Sequence, residues 1–108
     1  MHGIVIYEDP YCYKENNEFI EWLTLSEEER ERLNKFILEN FTKIKNINDK
    51  HTSYGLKHLC SRKLGFYMSN ADFKKSMTVC GFKNDGVKGD INWSFNISEK
   101  SIKKTRSI

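Results

Sequence analysis

YGLKHLCSRKLGFYMSNADFKKSMTVCGF, residues 54–82, holds two short helical patterns separated by a bend. In the first, Leu56, Leu59, Cys60 and Leu64 recur at helical spacing, with Thr52 or Ser53 placed to cap the start. Gly65 can take the left-handed conformation that closes a helix. Phe66–Met68 reads as an extended bend. Ser69, with Asp72 three residues on, is a capping box that opens a second helix with Phe73, Met77 and Cys80 inward. Gly81 stops that helix as Gly65 stops the first.

Upstream, Ser26 and Glu29 form another capping box, and Glu27, Glu28 and Glu29 sit where the positive end of a helix dipole favours acids. Leu33, Phe36, Ile37, Phe41 and Ile44 continue at helical spacing, which predicts a helix from about Glu27 to Lys45, closed by the loop NINDK at 46–50. Before it, NNEFIEWL (16–23) reads as a short helix. HGIVIY (2–7) reads as a short strand ended by Glu8-Asp9-Pro10, because proline pushes its predecessor out of helix. Downstream, INWSFNI (91–97) alternates Ile91, Trp93, Phe95 and Ile97 with Asn92, Ser94 and Asn96, the pattern of a half-buried strand. Phe82-Lys83 can pair with its start across a turn at Asp85-Gly86. EKSIKKTRSI (99–108) reads as a frayed basic tail.

The predicted order is therefore a helix, two shorter helices around a bend, then a hairpin. That is an α+β, winged helix-turn-helix-like arrangement, although a clear strand between the first two helices is missing from the reading. The chain is read as one domain: an N-terminal extension (1–25) with a short strand and acidic helical character, a winged-helix-like core (26–98) and the basic tail (99–108).

With 108 residues, 38% of them apolar but 13% aromatic, the core must be built from few, large side chains. No stretch is long and apolar enough for a membrane span, and the start lacks the apolar segment of a signal peptide, so a cytoplasmic location is expected. Cys12, Cys60 and Cys80 are an odd set without paired spacing, which fits free thiols in a reducing compartment. With His2, His51 and His58 they show no metal-ligand spacing, and neither metal nor cofactor is expected. No P-loop, G-x-S-x-G or H-E-x-x-H motif occurs, and no nucleophile stands beside His58, so the chain reads as non-enzymatic.

Charge divides the chain. Residues 1–40 carry ten acids and four bases, whereas residues 41–108 carry five acids and fourteen bases. With Phe73 inward, a helical projection turns Ala71, Lys74, Lys75 and Thr78 outward, and Lys57, His58, Ser61 and Arg62 outward on the preceding helix. A recognition helix places its N-terminal residues near base edges while neighbouring cations take phosphates. The candidate nucleic-acid contacts are therefore Lys57, Arg62, Asn70, Lys74, Lys75, Thr78, Lys83 and Lys88. The plainer alternative is that Asn70 shares in capping and the lysines keep the domain soluble. Tyr54, Phe66, Tyr67 and Trp93 offer a base-stacking platform, with core packing as the more ordinary use of such residues.

HTSYGLKH (51–58), GFYMSNADFKKSMTVCGF (65–82) and NWSFNIS (92–98) resemble a module of small proteins from phages, plasmids and conjugative elements of Gram-positive bacteria. The module runs roughly T-S-Y-x-L-K-H, then F/Y-Y-x-S/T-N-x-x-F, then G-F/Y and N-W-x-F. More loosely, the chain is similar to the winged helix of some viral and plasmid primase–helicases. Cys60 and Ser61 depart from the acidic or polar residues expected there. The resemblance implies a mobile-element protein in a bacterial cytoplasm that binds nucleic acid, duplex DNA being favoured. A second reading is an inhibitor of a host nuclease or CRISPR effector, similar in size and setting to anti-CRISPR proteins, with Glu27, Glu28 and Glu31 as its contact. A third is a scaffold that forms a homodimer through the N-terminal helix.

Overall fold

In the computed structural model, residues 5–6, 22–86 and 91–108 are described. Two short strands come first, β1 (Val5–Ile6) and β2 (Trp22–Leu23), paired antiparallel with Val5 opposite Leu23. Of the helix expected over 16–23, only the end lies within the described residues, and it is extended.

Helix α1 (Glu27–Asn40) starts where its capping box says it should. The Ser26 hydroxyl accepts from the Glu29 N–H at 3.1 Å, and the Glu29 carboxylate accepts from the Ser26 N–H at 3.0 Å. Leu33 and Ile37 are fully buried. The helix ends five residues before the expected stop, because Phe41 is extended and the chain continues as strand β3 (Lys43–Asn48). This is the strand missing from the sequence reading. KIKNIN has the helical spacing of Ile44 relative to Phe41, yet Ile44 is exposed and Phe41 alone turns into the core.

Helix α2 (Ser53–Leu64) closes on Gly65 in the left-handed conformation (φ 86°), whose N–H donates to Ser61 O. Its start is tied elsewhere: Thr52 makes no side-chain cap, and the Ser53 hydroxyl accepts from the Trp93 N–H at 3.1 Å. Helix α3 (Asn70–Val79) carries the reciprocal Ser69–Asp72 capping box, and the chain leaves it through Gly81 at φ 90°. Strand β4 (Phe95–Ile97) pairs antiparallel with β3, Lys43 opposite Ile97 and Asn48 opposite Phe95. On its other side Asn84 bridges to Phe95, the Asp85 N–H donates to Ser94 O, and the Asn96 N–H donates to Lys83 O. Residues 83–85 thus pair with 94–96, further along the strand than the expected pairing of Phe82-Lys83 with its start, and Asp85 belongs to the pairing rather than to a turn; residues 87–90, with Lys88, lie outside the described residues.

The expected frayed tail is instead helix α4 (Glu99–Ser107). Ser98 caps it by accepting from the Ser101 N–H, and Ile102 is fully buried. Ser101 and Thr105 are buried too, because their hydroxyls serve the backbone where α1 ends: Ser101 accepts from the Thr42 N–H at 3.1 Å, and Thr105 donates to Asn40 O at 3.4 Å.

One core unites the four helices and β4, while Leu23 of β2 packs with Ala71 in a second, smaller cluster. Leu33, Ile37, Leu56, Leu59, Met68, Phe73, Met77, Phe95, Ile97 and Ile102 pack together. Phe73 meets Phe95 edge to face at 6.1 Å, a contact worth about 0.5–1.5 kcal/mol beyond burial. The result is an α+β fold with four helices among the described residues and short antiparallel strands. No described helix is long and apolar enough to cross a membrane.

Candidate nucleic-acid interface

Helix α3 is not the outward reader that the helical projection suggests. Ala71 and Lys74 are completely buried, and Asn70 and Asp72 nearly so. Projection from Phe73 assumes one buried face, whereas α3 is covered on several. It packs against α1, α2 and β2. On its N-terminal turn Leu23 lies against Ala71, and the Thr24 N–H and hydroxyl donate to the two Asp72 carboxylate oxygens at 2.9 and 2.7 Å. On another side Lys74 Nζ donates to Ile91 O at 2.6 Å and stands 4.7 Å over the Trp93 ring. Asn70, one turn earlier, donates to that same carbonyl at 2.9 Å and to Asn92 Oδ1 at 2.8 Å. The Asn70 and Lys74 side chains are therefore braces for the 91–93 segment, and neither is placed to touch phosphate or base.

Lys57 is also buried rather than outward, its ammonium donating to Met68 O at 3.3 Å. Thr78 is half-buried and spends its hydroxyl on Lys74 O at 2.9 Å. Arg62 and Lys83 are exposed as expected, and Lys75 is half-buried at the edge of α3. The structure thus removes Lys57, Asn70, Lys74 and Ala71 from the outer surface and leaves Arg62, Lys75 and Lys83 within reach of a partner.

No family model, curated protein or solved structure matches this chain.

The surface therefore has to be read from its own chemistry. The outer stripe of α2 presents Tyr54, His58 and Arg62, all exposed, at successive four-residue steps. Tyr54 and His58 meet edge to face at 4.5 Å. Tyr67, just past α2, is exposed as well, and the Lys57 ammonium stands over both tyrosine rings, 5.6 Å from Tyr54 and 5.1 Å from Tyr67. Of the four aromatics considered as a stacking platform, Trp93 is core and Phe66 is half-buried beneath the Arg32 guanidinium. The useful pair is Tyr54 and Tyr67. The spacing Tyr54-x-x-Lys57-His58 already put tyrosine and cation on adjacent turns, but nothing local brought Tyr67 back beside them.

Glu27, Glu28 and Glu31 are exposed on α1, with Arg32 and Lys35 following four residues after Glu28 and Glu31. Arg30, Arg32 and Lys35 are interspersed with the acids of that helix, which breaks up the continuous negative surface that a nucleic-acid mimic needs. A separate polar cluster went unnoticed in the sequence. His51 Nε2 lies 2.9 Å from Glu99 Oε1, and Asn48 Nδ2 donates to the same oxygen at 3.0 Å. The Asn48 amide first, and then His51, hold the Glu99 carboxyl down to about 2. The cluster joins β3, the turn after it and the first residue of α4, a structural role. Among the described residues, no three of His, Cys, Asp and Glu converge as metal ligands.

Proposed function

We propose that this chain is a winged-helix-like, non-enzymatic nucleic-acid-binding protein that grips the phosphate backbone with Arg62, Lys75 and Lys83. The observation that supports the reading is the element order. Helix α1, strand β3, helices α2 and α3 and a hairpin follow one another, and the second hairpin strand β4 lies antiparallel to β3. The charge agrees with it, since residues 41–108 carry fourteen bases against five acids.

The mode differs from that of a helix-turn-helix reader. The first turn of α3 is occupied by Leu23, Thr24 and the hydrogen bonds to Asp72, so its side chains are spent inside the protein. Base-edge readout by that helix is absent from this proposal, and binding rests on backbone contacts with little sequence preference.

The test is binding of labelled duplex and single-stranded oligonucleotides over a range of salt. Wild-type affinity falls steeply as salt rises, and Arg62→Glu with Lys75→Glu and Lys83→Glu weakens binding at least about tenfold at moderate salt. Absence of salt-dependent binding to any oligonucleotide overturns the proposal. Recovery from bacterial lysate of a nuclease-resistant complex with one host protein, lost on Glu28→Lys with Glu31→Lys, replaces it with the inhibitor reading.

A further inference from the structure

Tyr54 and Tyr67 leave 56% and 67% of their surface to solvent, whereas the other aromatics whose burial is described are buried or half-buried. Both rings face one cation. Lys57 has a buried stem, its ammonium is anchored on Met68 O, and from there it faces both rings. Tyr54 also meets His58 edge to face at 4.5 Å. Rings that already have such neighbours lose less freedom on binding, which is the condition under which an exposed aromatic contributes most.

The surroundings fit an anionic ligand. From Lys50 through Ala71 the sequence contains no Asp or Glu, while His58 touches Tyr54 and Arg62 stands exposed one turn further along the same face of α2. Aromatic faces flanked by cations, on a stretch of chain that carries no acid, match a chain of planar bases joined by phosphates. In a duplex the base faces are covered by their neighbours, so two exposed rings have nothing to stack on except at an end. In a single strand each base offers a free face.

We infer that Tyr54 and Tyr67, both facing Lys57, are a stacking site for unpaired nucleobases, with Arg62 and His58 on the adjoining phosphates, so that the protein prefers single strands to duplex. This rests on the nucleic-acid-binding reading above and names the form of nucleic acid it takes.

The experiment measures fluorescence anisotropy of a labelled oligothymidylate and of a random-sequence duplex of equal length, with wild type, Tyr54→Ala/Tyr67→Ala and Tyr54→Phe/Tyr67→Phe. Wild type binds the single strand at least about tenfold more tightly than the duplex. The alanine pair loses about tenfold or more on the single strand and stays within about twofold on the duplex, and the phenylalanine pair retains wild-type affinity. Both tyrosines are exposed, so an unchanged melting temperature shows that the fold survives. Equal binding of both oligonucleotides, unaffected by the alanine pair, overturns the stacking site while leaving the backbone-binding proposal standing. No salt-dependent binding of either by wild type overturns both. Loss on the duplex equal to that on the single strand also overturns the stacking site, since it assigns the rings a general role. A nuclease-resistant complex with an acidic protein, abolished by the alanine pair while oligonucleotide binding persists, overturns it too.

Discussion

Thr24 grips Asp72 with both of its donors, the backbone N–H on one carboxylate oxygen at 2.9 Å and the hydroxyl on the other at 2.7 Å. Asp72 is at the same time the N3 residue of the α3 capping box, accepting from the Ser69 N–H at 2.8 Å. One carboxylate therefore starts a helix and fastens the preceding segment across it. Thr24→Val keeps the shape of the side chain and removes only the hydroxyl donor, costing about 1.5–3 kcal/mol, the range for hydrogen bonds to charged groups. Asp72→Ala costs more, because cap and clasp fail together. Urea denaturation of the two variants checks the order, and amide exchange over α3 rises in both.

Lys74 separates packing from surface charge. Lys74→Glu puts an acid against the Ile91 carbonyl and removes the cation over Trp93, and the expected loss is at least about 3 kcal/mol. Lys83→Glu, at an exposed position, shifts stability by about 0.5 kcal/mol or less. Circular dichroism melts of the two single variants read the contrast directly.

Acid sensitivity follows from Glu99. Its carboxyl titrates near 2 when folded against an ordinary value of 4.5, so the folded state favours the ionised form. The stabilisation is complete above the unfolded value and is lost as pH falls from about 4.5 through 2. Carboxyl chemical shifts recorded by nuclear magnetic resonance give the titration. Asn48→Ala removes the leading cause and moves the Glu99 midpoint upward.

Cys60 is fully buried, and burial raises its thiol well above the usual range. Burial raises Cys80 as well, partly offset by the nearby Lys43 ammonium. Neither supplies thiolate near neutral pH. Cys12→Ser protein treated with a thiol reagent at pH 7.5 therefore reacts negligibly when folded and gains two equivalents in denaturant.

Much of the frame was legible because its signals are local. Ser26 with Glu29, Ser69 with Asp72, and the two glycines after α2 and α3 act within a few residues, and each is found in its expected role. The end of α1 was not legible: Phe41 and Ile44 prolong the helical spacing, and only tertiary pairing with Ile97 draws Lys43 into a strand. Helix α4 escaped because two of its three buried residues are Ser101 and Thr105, which count as polar in any periodicity. The outward assignment of Lys74 failed for the complementary reason, since a long cation can be buried once a carbonyl and an indole receive it. Tyr67 beside Tyr54 needed the bend between α2 and α3 to be folded before it could be seen.

Among the described residues strand β3 has a partner on one side only, and open strand edges invite further chains to add on. Between its two pairings with β4 it advances five residues while β4 advances two, so it arches away, with Asn96 Nδ2 bonded to Ile44 O inside the arch. Lys43 and Lys45 are exposed along that stretch. An arched edge carrying lysines is a poor template for intermolecular sheet growth, so the shape that hid this strand from the sequence reading also guards the protein against aggregation.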